Sequence, residues 1–144
     1  FFMSLTEFVK YFDSVDLCHM HPYYNYNFER GSSPTGSLYF EVELEEDGET
    51  YFTLHQQPLK SASSSMLIYG RMIMLVAKMV GEDYHYVTSK MEMNFPNLSV
   101  RCPKLTKGRY IVYTKCYRKV EGSELPSILA VYSSSKVTLK RRSK

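Results

Sequence analysis

The chain has 144 residues, of which 44% are hydrophobic and 23% charged, with a net charge of +3 at pH 7. That length suits one domain with a core of its own. No apolar run reaches the ~18 residues of a membrane-spanning helix, no basic start leads into an apolar signal segment, and three cysteines (Cys18, Cys102 and Cys116) are too few for a disulfide framework, which points to a reduced, cytoplasmic protein. The charge is unevenly divided: residues 1 to 100 hold six Lys/Arg against 13 Asp/Glu, whereas residues 101 to 144 hold 12 against two. A basic half of this kind is either a set of solvated strand faces or a surface for an acidic partner. The first residue is Phe1, not methionine, so the chain reads as a piece of a longer protein.

Ser4 and Glu7 have the spacing of a capping box, and Leu5, Phe8, Val9 and Phe12 follow as one apolar stripe. This predicts a helix from about Leu5 to Phe12, closed at Asp13-Ser14, with a short extended piece over Val15 to Cys18. Cys18-His19-Met20-His21 lacks the second Cys/His cluster that a metal site needs. Tyr23 to Gly36, rich in Tyr, Asn, Gly, Ser and Pro, reads as a linker or surface wrap.

Leu38 to Leu44 and Glu49 to Gln56 read as strands, and Glu45-Glu46-Asp47-Gly48 between them reads as a tight hairpin turn. Leu59 to Ser65 is a polar loop. Met66 to Val80 splits at Gly70-Arg71 into two strands, with a helix from Arg71 to Lys78 as the competing assignment; its methionines suit a core. Tyr84 to Met93 alternates, and Leu98 to Cys102 is a short strand before Pro103. The run Lys107 to Arg118 organises the rest. Tyr110, Val112, Thr114 and Cys116 make an uncharged face, while Arg109 and Lys115, with Lys119 beyond, mark a wet one. Ile128 to Tyr132 reads as an interior strand and Val137 to Leu139 as a last short one, after the loop Glu121 to Pro126. Seven or eight short strands with frequent turns predict a mainly β protein, an antiparallel β-sandwich behind a short N-terminal helix.

Little chemistry is written in this pattern. There is no Gly-rich phosphate loop, zinc spacing or nucleophile elbow. Cys102 and Cys116 lie within strand patterns and read as buried small residues. Basic residues interleave with tyrosines between Arg109 and Lys119, as in any sheet with a wet face, and no nucleic-acid role is assigned. Glu41, Glu43, Glu45, Glu46, Asp47 and Glu49 concentrate acid around one turn, suited to diffuse cation attraction and not to wrapping one ion.

Two stretches resemble the calpain family of intracellular cysteine proteases. Phe1-Phe2-Met3-Ser4-Leu5-Thr6-Glu7-Phe8 through Phe12, then Val15-Asp16-Leu17-Cys18, is similar to the last helix and strand of the calpain protease core. Leu38 to Leu44, Tyr51 to Gln57, Lys104 to Val112 and Leu129 to Ser134 are similar, in order, to strands of that family's C2-like sandwich, domain III. The resemblance implies residues 1–20 as the end of the protease core, 21–37 as linker and 38–144 as the sandwich. It implies a non-catalytic regulatory or scaffolding domain, monomeric, that packs on the protease core of its own chain, cytoplasmic and at times peripheral at membranes. The catalytic Cys, His and Asn motifs are absent from this piece, and it carries no cofactor; calcium is a candidate for the parent protein. The six acidic residues named above would form one side of an intramolecular latch. Lys136, Lys140, Arg141, Arg142 and Lys144 would form a basic side facing anionic phospholipid or a partner. The alternative is a lipid- or protein-binding C2-like module acting through that basic half.

Overall fold

The computed structural model describes residues 2–12, 21–60, 67–117 and 126–142. The predicted helix is present as α1 (Leu5–Tyr11), with both halves of its capping box formed: the Glu7 amide donates to Ser4 Oγ and the Ser4 amide donates to the Glu7 carboxylate. None of its residues is buried. The extended piece expected over Val15 to Cys18 lies outside the described residues.

Eleven strands follow among the described residues: β1 (Asn25–Gly31), β2 (Ser37–Leu44), β3 (Gly48–Gln56), β4 (Leu59–Lys60), β5 (Leu67–Ile68), β6 (Arg71–Val80), β7 (Asp83–Met93), β8 (Asn97–Leu105), β9 (Gly108–Tyr117), β10 (Ser127–Ser133) and β11 (Val137–Arg142). They form a four-stranded sheet, β1-β10-β3-β8, facing a five-stranded sheet, β11-β2-β9-β6-β7, with β4 and β5 paired apart. Every pairing is antiparallel. The protein is therefore a two-sheet β-sandwich with one short helix.

Strand β9 is the middle strand of the larger sheet, as its period-two pattern predicts. Tyr110, Val112, Thr114 and Cys116 all point into the core. Phe40 and Val42 from β2, Met72 and Met74 from β6, and Phe52 and Leu54 from β3 meet them there with no exposed surface. Each such apolar side chain contributes about 1.5–3 kcal/mol on leaving water. The strand assignment of Arg71 to Val80 holds over the helical one, because only a strand puts alternate methionines, Met72 and Met74, into one core.

Three expectations need correction. The acidic turn is not a hairpin. Strand β2 pairs with β9 and β11, and β3 pairs with β10 and β8, so Glu45 to Asp47 forms an arch from one sheet to the other. The positive-φ glycines are Gly36, Gly81 and Gly108, not Gly48. Next, the Tyr-rich stretch read as a linker or wrap contains β1, whose seven residues pair with β10 along the edge of the smaller sheet. Last, the strand ahead of Pro103 continues through it to Leu105. Strand β8 is an edge strand, where proline's missing N–H breaks no ladder.

Among the paired strands of the two large sheets, only β6 and β7 are neighbours in sequence; all the others are reached by crossing the sandwich. The β6–β7 ladder shifts register between Val76 and Ala77, where Thr88 and Tyr86 are successive partners and Val87 is the extra residue. A bulge of this kind bends its strand and increases the local twist.

Two substitutions test this packing. Gly36 has φ +71, and a Cβ there would lie 2.1 Å from the Cys116 carbonyl oxygen, whose own amide donates to Gly36 O at 3.0 Å. Gly36→Ala should therefore cost more than about 2 kcal/mol in urea unfolding, and a cost near zero would contradict this geometry. Thr114 is fully buried, and its Oγ1 has no hydrogen-bond partner among the described residues. Thr114→Val should raise stability by about 1 kcal/mol, because it removes a desolvated hydroxyl while keeping the shape; a loss would show that the hydroxyl is satisfied.

Candidate functional site

The six acidic residues do not form one site. Glu41 lies 3.8 Å from Arg109 across the β2–β9 pairing, and Glu45 lies 2.7 Å from Lys136. Glu43 faces solvent. The Glu46 amide donates to Ser135 Oγ at 3.0 Å, and Asp47 Oδ1 accepts from the Lys107 amide at 2.7 Å. No group of three or more His, Cys, Asp or Glu among the described residues can hold a metal ion. The basic residues are also dispersed. Lys136 is occupied by Glu45, whose carboxylate holds the ammonium pKa above its usual value. Lys140 sits beside Glu41 in register, while Arg141 and Arg142 end β11. Lys144 lies outside the described residues.

Glu49 turns away from the arch to the outer face of the four-stranded sheet. Its side chain is only 15% exposed and accepts from Tyr24 Oη and from Arg101 Nε, each at 2.6 Å. His21 Nε2 stands 4.0 Å off, and its ring stacks on Tyr24 with centroids 4.3 Å apart. The Tyr132 hydroxyl holds both backbone groups of His21, accepting from its amide at 2.7 Å and donating to its carbonyl at 2.5 Å. Donation from Tyr24, and then from Arg101, holds the Glu49 carboxyl below its usual range, while the same carboxylate pushes the Tyr24 hydroxyl up to about 12. The cluster is internally satisfied and clamps the start of the sandwich to its own sheet.

The outer face of the five-stranded sheet is different. Sequence reading marked it as the wet face, on Arg109 and Lys115. Between those two charges, however, Ile111 and Tyr113 point the same way. With Leu75 and Ala77 from β6 and Tyr39 from β2 they line a groove of about 620 Å³. Leu75, Tyr113, Tyr39 and Arg142 lie in one row across four strands. The Tyr39 and Tyr113 rings lean together with centroids 5.1 Å apart. Arg142 and Tyr84 come from opposite edge strands, yet both line the groove, and Arg142 Nη1 reaches Tyr84 Oη at 3.5 Å. The sheet must curl strongly for its two edges to meet, and the bulge in the β6–β7 ladder supplies part of that twist. The signal for this groove was the alternate run Ile111-Tyr113 inside an otherwise charged face.

No family model matches the chain. No curated protein matches it. Among solved structures it is similar to a chain of the broad bean stain virus cryo-EM structure, with a TM-score of 0.49 and 5% identity over 90% of this chain and 97% of that one. It is also similar to a chain of desmodium yellow mottle tymovirus, with a TM-score of 0.38 and 11% identity over 90% and 97%. These findings correct the expectation of calpain membership: both of these solved structures come from viruses, and no family model, that of calpain included, matches the chain. The regulatory role on a calcium-dependent protease and the lipid-binding C2-like alternative fall with it. The physical reason is that the matched motifs are one capped amphipathic helix and short strand patterns, which local capping and any sandwich with one wet and one dry face produce. With both scores below 0.5, neither likeness says what this chain does.

The Glu49 cluster makes stability depend on pH in two directions. The folded pKa of Glu49 lies below its unfolded value, so its contribution is complete above about pH 4.5 and is lost as pH falls through the depressed value. The folded pKa of Tyr24 lies above its unfolded value, so its contribution is complete below about pH 10 and is lost as pH rises through about 12. Urea midpoints measured against pH should show both limbs. Glu49→Gln should flatten both, and Tyr24→Phe should flatten the alkaline limb. An acid limb unchanged in Glu49→Gln would contradict the cluster.

Proposed function

We propose that this chain is a non-enzymatic binding module that takes a small ligand on the curled outer face of its five-stranded sheet. The observation that carries this reading is the meeting of Arg142 and Tyr84, from opposite edges, over a floor of Leu75, Ala77 and Ile111. Small-molecule sites are concave and mostly apolar, with a few polar groups that fix orientation. Here the polar groups are tyrosine hydroxyls and one guanidinium. Ile111 and Ala77 lie on the outer face yet are only 8% and 7% exposed, so their surroundings already shelter them from water. No catalysis is assigned to the chain. Both described cysteines are buried, and burial pushes the Cys102 thiol up, away from the reactive thiolate.

Screening neutral aromatic fragments by methyl NMR tests this reading. Binders should shift the Leu75, Ala77 and Ile111 methyls together, and Leu75→Lys should abolish those shifts while leaving the core methyls of Val42 and Val112 in place. If no fragment shifts the groove methyls, the reading fails.

A further inference from the structure

The groove does not stop at Arg142. Tyr39 and Arg142 also wall a second depression of about 440 Å³, lined by Ser32, Ser33, Thr35 and Ser37 with Arg141. A smaller hollow of about 230 Å³ continues past Arg141 to Arg30. The two halves differ in chemistry. The first is apolar and aromatic, whereas the second sets four hydroxyls and two guanidinium groups beside Pro34 and Leu38, with no carboxylate among the described lining residues.

Among the described residues neither arginine at the junction has a carboxylate partner, whereas three other cations of this face are engaged. Arg109 is paired with Glu41, and Arg71 and Lys115 sit over the ring of Tyr117 at 4.2 and 4.7 Å. Among the described residues, Arg142 makes only its 3.5 Å contact with Tyr84, at the outer limit of a hydrogen bond. Arg141 is seated by the lack of a side chain at Gly31, where a Cβ would lie 3.0 Å from Arg141 Cδ and 2.9 Å from Leu38 Cδ1. The hydroxyls already touch one another. Ser33 Oγ lies 3.0 Å from Thr35 Oγ1, and Ser37 Oγ lies 3.2 Å from Tyr113 Oη, which links the hydroxyl half to the aromatic half.

Building on the binding-module reading, we propose that the two depressions form one site for a phosphate ester of mononucleotide size. Its flat ring lies in the groove against Tyr39 and Tyr113, and its phosphate sits among Arg141, Arg142 and the hydroxyls of the 32–37 loop. Aromatic rings stack on tyrosine faces whatever their substituents. A phosphate monoester carries about −1.5 to −2 charge near pH 7 and three acceptor oxygens. Two guanidinium groups with four hydroxyls match that charge and that number of acceptors, and arginine suits phosphate better than lysine does. A planar carboxylate would use fewer of these donors.

The test is an NMR titration of the same chain with adenosine monophosphate, adenosine and inorganic phosphate. Adenosine monophosphate should shift the Leu75 and Ile111 methyls together with the amides of residues 32–37. It should bind at least about tenfold tighter than either half alone, as expected of one charge-assisted contact added to stacking. Arg141→Gln, which lies outside the aromatic groove, should lose about tenfold for the monophosphate and leave adenosine unchanged; Arg142→Gln, which lines both depressions, should lose at least as much for the monophosphate, and amide spectra check that both variants are folded. Equal binding of adenosine and its monophosphate, or insensitivity to both substitutions, would overturn the proposal. If neutral rings still occupy the groove in that case, only the phosphate half falls. If no ring of any kind enters it, the binding-module reading falls too.

Discussion

The structure depends on backbone that crosses between its sheets. Three crossings meet at one end of the sandwich: the arch from β2 to β3, the turn from β8 to β9 and the turn from β10 to β11. The Glu45 amide donates to Lys136 O, the Glu46 amide to Ser135 Oγ, the Lys107 amide to Asp47 Oδ1 and the Ser134 amide to Glu49 O. Backbone groups in turns have no ladder to satisfy them, and those shielded from water need another partner. Here each turn supplies partners for another. The acidic residues of the arch therefore serve its architecture: Asp47 caps a neighbouring turn, Glu45 holds Lys136, and Glu49 turns out to fasten Tyr24 and Arg101. The carboxylates without a partner among the described residues, Glu43 and Glu46, do not gather with a third ligand.

With that end fixed, the two outer faces diverge. On the face of the smaller sheet, tyrosines, an arginine and a carboxylate satisfy one another around Glu49 and tie down His21. The face of the larger sheet is bent by a bulge until its edges approach, and its floor is apolar. A face that hides apolar surface in a hollow, rimmed by hydroxyls and arginines, is arranged to receive a ligand rather than to complete a core.

Period-two alternation exposed most of the sandwich in the sequence, because it is the direct consequence of one dry and one wet face. It located β9 at the centre, β2, β3 and β10 around it, and the uncharged row from Tyr110 to Cys116. The capping box placed α1 for an equally local reason. Pairing was not legible. Asp47-Gly48 has the residues of a tight hairpin, and nothing local says that the strands on either side belong to different sheets. The strand Asn25–Gly31 was hidden because an edge strand faces solvent on much of its surface, so Tyr, Asn, Glu and Arg there look like a loop. The groove was hidden by charge. Arg109 and Lys115 set the character of the outer row, and the apolar pair between them is sheltered only by the curl of the whole sheet, a property of five strands and not of one. The family resemblance rested on a capped helix motif and on strand motifs that share this alternation, and such local patterns specify a type of layer more firmly than a lineage.

The position of β10 sets the timing of the fold. This strand lies between β1 and β3 in the smaller sheet, yet it is made after all the other strands of that sheet. Gly31, near the beginning, pairs with Ser127, and Gln56 pairs with the same residue from the other side. Until Ser127–Ser133 has left the ribosome, β1 has no neighbour and β3 has an open edge. Pairings between such distant residues form slowly, and unpaired edges invite other chains. The smaller sheet must therefore wait for β10 before it can close, and over that interval its unpaired edges are the part of this domain most open to association with other chains, which is when a chaperone would serve it best.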